Sequence, residues 1–190
     1  MTPFAELRPL LSEIRQVYLD FFRAALADLG DGTHWQVESE MLDRLGSGVR
    51  EGTLGTGLRR DIMILGDQPE TVMVTSAQFI SFARLASRHG NLEIDMAPFT
   101  WDQLHLTAHS VGPVENWSPL RTWFERHFAE EAGFDPTFFG CIHFLSDPDW
   151  QGDRHSFEVD LGSAPVEALI ALLDALEACK VTRLTIGGAS

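Results

Sequence analysis

Cysteine, basic charge and long apolar runs are all scarce in this chain, and each shortage removes a class of protein. Two cysteines among 190 residues, Cys141 and Cys179, make neither a disulfide framework nor a metal knuckle. Cys141 sits in an apolar run and Cys179 ends a helical pattern, so both are expected to act as small buried hydrophobes. No stretch approaches the roughly 18 apolar residues of a membrane span. Glu6, Arg8, Glu13 and Arg15 interrupt the N-terminal run where a secretory signal would keep an apolar core. The expected setting is cytoplasmic, without a membrane partner.

Basic residues number 14 against 28 acidic ones, for a formal net charge of −14. The excess is uneven: residues 1–60 hold nine acids and seven bases, whereas residues 61–190 hold 19 and seven. Nucleic-acid affinity comes largely from neutralising phosphates, and a field of this sign repels them. No nucleic-acid partner is expected, and an anionic membrane surface is disfavoured for the same reason. A basic protein or a cation remains compatible, although the plain consequence of such charge is solubility.

Familiar catalytic and cofactor motifs are also missing. There is no Gly-x-Ser-x-Gly elbow, and Cys141 lacks the electropositive neighbours that would activate a thiol. The segment 46–57 holds five glycines. Its Gly46-x-Gly48-x3-Gly52 spacing misses the dinucleotide fingerprint by one residue, and no lysine follows as in a phosphate loop. It reads as a flexible connector, and no cofactor is expected.

What the chain does have is regular apolar spacing. Leu7, Leu10, Leu11, Ile14, Val17, Tyr18, Phe21, Phe22, Ala25 and Leu29 recur at three- and four-residue steps, which predicts a helix from near Leu7 to Gly30. Alternation predicts strands at 34–41, 61–65, 71–75, 92–96, 138–145, 155–161 and 181–186. Further helices are expected from Ser76 to about His89, stopped by Gly90-Asn91, from Ser118 to about Glu131, and from Ser163 to Cys179. Segment 100–111 is ambiguous. Thr100 and Gln103 make a capping box, yet Leu104, Leu106 and Ala108 alternate, and the strand reading is preferred.

These elements add up to one α+β domain over residues 1–190, a mostly antiparallel sheet covered by helices. They also suggest two ββαβ repeats, about 61–97 and 139–187, each preceded by a helix, with halves near 1–97 and 98–190. Ile62–Asp67 lines up with Ile142–Asp147, Ile94 with Leu184, and Met96 with Ile186. The competing explanation is that apolar patterning makes any two ββαβ stretches look alike.

Two groups of residues are candidate metal ligands. The turn carrying Asp147, Asp149 and Asp153, continued to Glu158, follows the order of acids and glycine in a calcium loop. However, Gln151 and Arg154 break the pattern, and strands flank it where helices belong. A solvated hairpin tip is the competing reading. The second group is Asp102, His105 and His109. On a helix the two histidines would share a face as metal ligands do. On a strand they would stand about 13 Å apart, with His143 and His155 the nearest further candidates. The solvent face of an antiparallel strand is then the plainer role.

The leading expectation is a non-enzymatic binding module that engages another protein or a second copy of itself. The alternative is a small enzyme or cation-binding protein that uses Asp102, His105 and His109, or the acidic 147–158 hairpin.

Overall fold

A computed structural model describes residues 2–30, 32–42, 54–55, 57–76, 80–129 and 137–188. The expected glycine-rich connector falls mostly outside them. The long apolar stripe forms α1 (Arg8–Asp28), entered through a 3-10 turn at Phe4–Leu7. It buries Leu11, Ile14, Tyr18, Leu19 and Phe22, each aliphatic or aromatic side chain contributing about 1.5–3 kcal/mol when taken fully from water.

Two sheets follow from the alternating segments. The smaller is an antiparallel meander of β2 (Trp35–Glu40), β3 (Arg59–Ile64) and β4 (Glu70–Val72), in that order. The larger holds eight strands. They are β1 (Thr2–Pro3), β5 (Leu85–His89), β6 (Leu92–Met96), β7 (Leu104–Ser110), β8 (Phe144–Leu145), β9 (Asp149–Trp150), β10 (Arg154–Asp160) and β11 (Val181–Gly187). Their order is β1-β5-β6-β11-β7-β10-β8, with β9 also paired to β10. Only β1 with β5 and β6 with β11 run parallel; the other pairs are antiparallel. The chain is thus α+β, with mixed but mostly antiparallel sheets.

Helices α2 (Ser118–Phe128) and α3 (Val166–Ala178) pack on each other. The buried Trp123 indole N–H donates to the Ala168 carbonyl at 2.8 Å. One contiguous apolar core runs from Phe4 to Ile186 and includes residues of all three helices and both sheets. Segment 100–111 resolves as the strand β7, and Thr100 and Gln103 close a tight turn before it.

Three expectations need correction. The helix predicted over Ser76–His89 is not there: Leu85–His89 is the strand β5, paired with β6. Gly90-Asn91, which reads as a helix stop, is a two-residue hairpin loop. His89 pairs with Leu92 across it, and Gly90 takes φ +55°, a conformation that glycine adopts readily and that such turns require. The described residues do not support the duplication either. β3 and β4 lie in the small sheet while β8 and β10 lie in the large one, and α3 has no helical counterpart among residues 80–97. Ile94 and Leu184, aligned as repeat positions, are direct neighbours in the parallel β6–β11 pair. Strand alternation alone accounts for the likeness. The strand expected over 138–145 is also shorter, reduced to Phe144–Leu145.

Candidate functional site

The junction of the two sheets is where the structure departs furthest from an apolar core. Segment 141–143 belongs to neither sheet, yet both use its backbone. The His143 N–H donates to Asp160 O at 2.9 Å, and the Arg59 N–H donates to His143 O at 3.0 Å. This double anchorage holds the His143 ring between β3 and β10 with no exposure to solvent.

Between the pairs Val37–Ile62 and Ser39–Arg60, the antiparallel register leaves Glu38 of β2 level with Asp61 of β3, without a ladder pairing of its own. Like charges at facing positions repel, and both residues are buried. His143 lies between them, its Nε2 2.9 Å from Glu38 Oε1 and its Nδ1 3.2 Å from Asp61 Oδ1. Asp160 Oδ2 is 3.7 Å from the same Nδ1. The remaining carboxylate oxygens meet donors: Phe139 N–H on Glu38 Oε2 at 2.5 Å, Ser163 N–H on Oε1 at 3.2 Å, and Val74 N–H on Asp61 Oδ2 at 2.7 Å. The Tyr18 hydroxyl of α1 donates to Asp61 Oδ1 at 2.5 Å.

The electrostatics follow from this geometry. Burial alone would lower the His143 pKa, but the Asp160 charge, the close approach of Asp61 and Cys141 and the hydrogen bond with Glu38 raise it well above the ordinary value. Burial pushes Glu38 and Asp61 up, but the histidine, together with the hydrogen bonds from Ser163 and Phe139 to Glu38 and from Tyr18 and Val74 to Asp61, outweighs it and holds both carboxyls below their usual range. Asp160 goes the other way, pushed to about 7 by burial against the pull of His143, with the Asp61 and Asp102 charges adding to the rise. Burial also raises the Cys141 thiol and the Tyr18 phenol. At neutral pH the cluster is therefore an imidazolium between two carboxylates, beside a neutral thiol.

Two backbone features mark the site as built. Glu38 is a non-glycine residue at φ +49°, a conformation that costs of order 1–3 kcal/mol and persists only where its surroundings impose it. The Arg59 guanidinium, stacked 4.7 Å from the Phe128 ring centre, donates to the Glu38 carbonyl at 2.7 Å and helps to hold that backbone conformation within β2. Gly162 takes φ +50°, and a Cβ there would collide with the His143 imidazole.

Among the described residues, Glu38, Cys141 and His143 are the group whose donor atoms converge, all within 4.8 Å of one another. The residues singled out from the sequence lie elsewhere. His105 and His109 share the outer face of β7, with Thr107 between them; His105 Nδ1 is 3.4 Å from Glu158 Oε1 across the strand pair. Asp102 is in the turn before β7, and its Oδ2 accepts the Ser76 N–H at 3.3 Å. In the hairpin, Asp147 Oδ1 accepts the Leu54 N–H at 2.8 Å, Asp149 Oδ2 accepts from Gln151 at 2.9 Å, and Asp153 is exposed. His105, Asp147, Asp149 and Glu158 line one open hollow of about 490 Å³, so the two candidate groups share a surface without forming one tight donor set.

Sequence reasoning missed Glu38 and Asp61 altogether and named His143 only as a remote third ligand. The available signals were Asp61 inside an apolar run and the Cys141-x-His143 pair inside another. Polar residues in runs patterned for burial must find partners. Comparison with protein-family models, with curated proteins and with solved structures finds no match to this chain.

Proposed function

We propose that this domain binds a divalent d-block cation, zinc being the best fit, through Glu38, Cys141 and His143. The observation that carries this reading is the convergence within 4.8 Å of one sulfur, one nitrogen and one oxygen donor, all fully buried. Zinc takes this donor mixture, whereas calcium and magnesium take oxygen sets. Asp61 on the far nitrogen of His143 supplies the outer carboxylate that orients and strengthens a metal-bound histidine.

Charge balance also favours it. Counting Glu38, Asp61, Cys141 and His143, the ion-free cluster holds two carboxylates and one imidazolium. Uptake of a dication expels one proton from the thiol and one from the imidazolium, so the buried net charge is unchanged. Because no donor is exposed, the ion enters as the chain folds and holds the two sheets together.

Metal analysis of the full chain as purified, and titration of it after unfolding and refolding with excess zinc or cobalt, test this. Zinc should co-purify, or bind with release of about two protons per ion. At a hundredfold excess over Kd it should stabilise the fold by about 2.7 kcal/mol. Cobalt should give a thiolate charge-transfer band that Cys141→Ser abolishes. A protein that purifies metal-free, does not melt higher with excess zinc and shows no such band with cobalt overturns the reading.

Interaction with another protein remains a second reading, supported by a groove of about 910 Å³ along the edge strand β2, lined by Trp35, Met41, Leu42 and Phe139. Light scattering that stays monomeric at high concentration removes its self-association form.

A further inference from the structure

Tyr18 is the single tyrosine of the chain. It stands in the buried stripe of α1, where the other core positions are Leu11, Ile14, Leu19 and Phe22. A phenylalanine would meet the packing there, and a hydroxyl taken out of water costs free energy unless it finds a partner. The Tyr18 hydroxyl finds Asp61 Oδ1 at 2.5 Å, the same oxygen that approaches His143 Nδ1. We propose that Tyr18 is a positioning residue of the metal site, holding Asp61 so that Asp61 sets the tautomer and tilt of His143. This inference rests on the zinc reading above.

The surroundings of Asp61 show how the hydroxyl acts. Oδ1 takes the Tyr18 hydroxyl and Oδ2 takes the Val74 N–H at 2.7 Å, so one donor pins each oxygen and the carboxylate plane is fixed. His143 needs such a fixed acceptor. Its Nδ1 lies 3.2 Å from Asp61 Oδ1 and 3.7 Å from Asp160 Oδ2, with an aligned hydrogen bond to neither. A metal on Nε2 leaves Nδ1 with one proton to donate, and the acceptor it meets fixes the orientation and basicity of the ring. The clamp on Asp61 decides for the nearer carboxylate. Released from Tyr18, Asp61 is free to turn about its Cβ–Cγ bond, and the ring is free to tip towards Asp160.

The contact also joins distant parts of the chain. Tyr18 and Asp61 are 43 residues apart, on a helix and on β3 of the smaller sheet. The seating of α1 is thereby coupled to the geometry of a histidine that α1 does not itself carry.

The test is the zinc affinity of the full chain and its variants, each unfolded and refolded in chelator-buffered zinc. Tyr18→Phe deletes one oxygen atom and should weaken zinc about tenfold, the lower end of the loss expected when an outer partner of a ligating histidine is removed. Ile14→Val trims the same stripe of α1 but leaves Asp61 its partners, and it should bind zinc as the parent does even where it melts lower. Asp61→Asn should weaken zinc at least as much as Tyr18→Phe. The double variant should be no weaker than Asp61→Asn alone, because Tyr18 acts only through that carboxylate. Cobalt supplies a spectroscopic signature: its visible ligand-field bands should change in Tyr18→Phe and not in Ile14→Val. Biosynthetic fluorotyrosine, which marks position 18 alone, needs no substitution, and its fluorine NMR signal should move when zinc binds. A Tyr18→Phe chain that binds zinc as tightly as the parent, losses that add in the double variant, an equal loss in Ile14→Val, or an unmoved fluorine signal overturns the proposal and leaves the zinc reading standing. A parent that takes up no zinc removes both.

Discussion

His143 and His105 each stand beside a carboxylate, and the contrast between their settings explains most of what is unusual in this molecule. His105 faces Glu158 at 3.4 Å with side chains 36% and 60% exposed. Water competes for both partners there, and such a pair contributes about 0–1 kcal/mol. His143 faces Glu38 and Asp61 at 2.9 and 3.2 Å with no exposure at the ring. Its partners were taken out of water to be there, and they are tolerable only together. The same residue types make a surface detail in one place and a fold-wide constraint in the other.

Removing each histidine measures that contrast. His143→Ala leaves Glu38 and Asp61 buried, facing each other and without their cation. The expected loss is about 3–5 kcal/mol, a melting point roughly 6–20 °C lower for a chain of this size. A calorimetric loss under about 1 kcal/mol would mean that the cluster is open to water, and the comparison would collapse.

His155 gives an intermediate case, nearly as buried but held by rings instead of charges. Its imidazole lies 4.9 Å from the Trp117 ring centre and 4.4 Å from that of Trp150, and its Nε2 accepts the Val114 N–H at 3.3 Å. Burial lowers its pKa from 6.5. The folded form therefore resists a proton that the unfolded chain accepts. This contribution to stability is fully present above about pH 6.5, and it is lost as pH falls from there through the folded pKa. Asp160 and His143, whose folded pKa values are raised, gain stability over the same fall in pH, so the His155 effect is read as a difference: from pH 8 to 5 the parent should lose melting temperature relative to His155→Gln. An unchanged slope in the variant would assign the acid sensitivity to other groups.

The smallest effect belongs to His105→Ala, expected within about 0.5 kcal/mol of the parent in urea unfolding. A loss above about 1.5 kcal/mol would show that the β7 surface is working harder than its exposure implies.

Legibility in the sequence divides along the same line. α1, α2, α3, β7 and the closing β10–α3–β11 stretch were readable because each presents one apolar face to the core at helical or strand spacing. The expected helix before Gly90 failed because a two-residue hairpin turn and a helix stop use the same residues. The buried cluster was illegible for another reason. Its partners are Glu38 and His143, 105 residues apart, and Asp61 between them, and no local pattern encodes a pairing that exists only once two sheets have met.

By itself the sequence determined an acidic α+β chain, the positions of its helices and most of its strands, and a core large enough to hold them, because burial of apolar side chains follows local periodicity. Only the tertiary structure decided which ionisable groups lost contact with water. That choice fell to Glu38, Asp61, Cys141 and His143 because they occupy the seam between two sheets, where the energy of a charge depends on what stands opposite it in space.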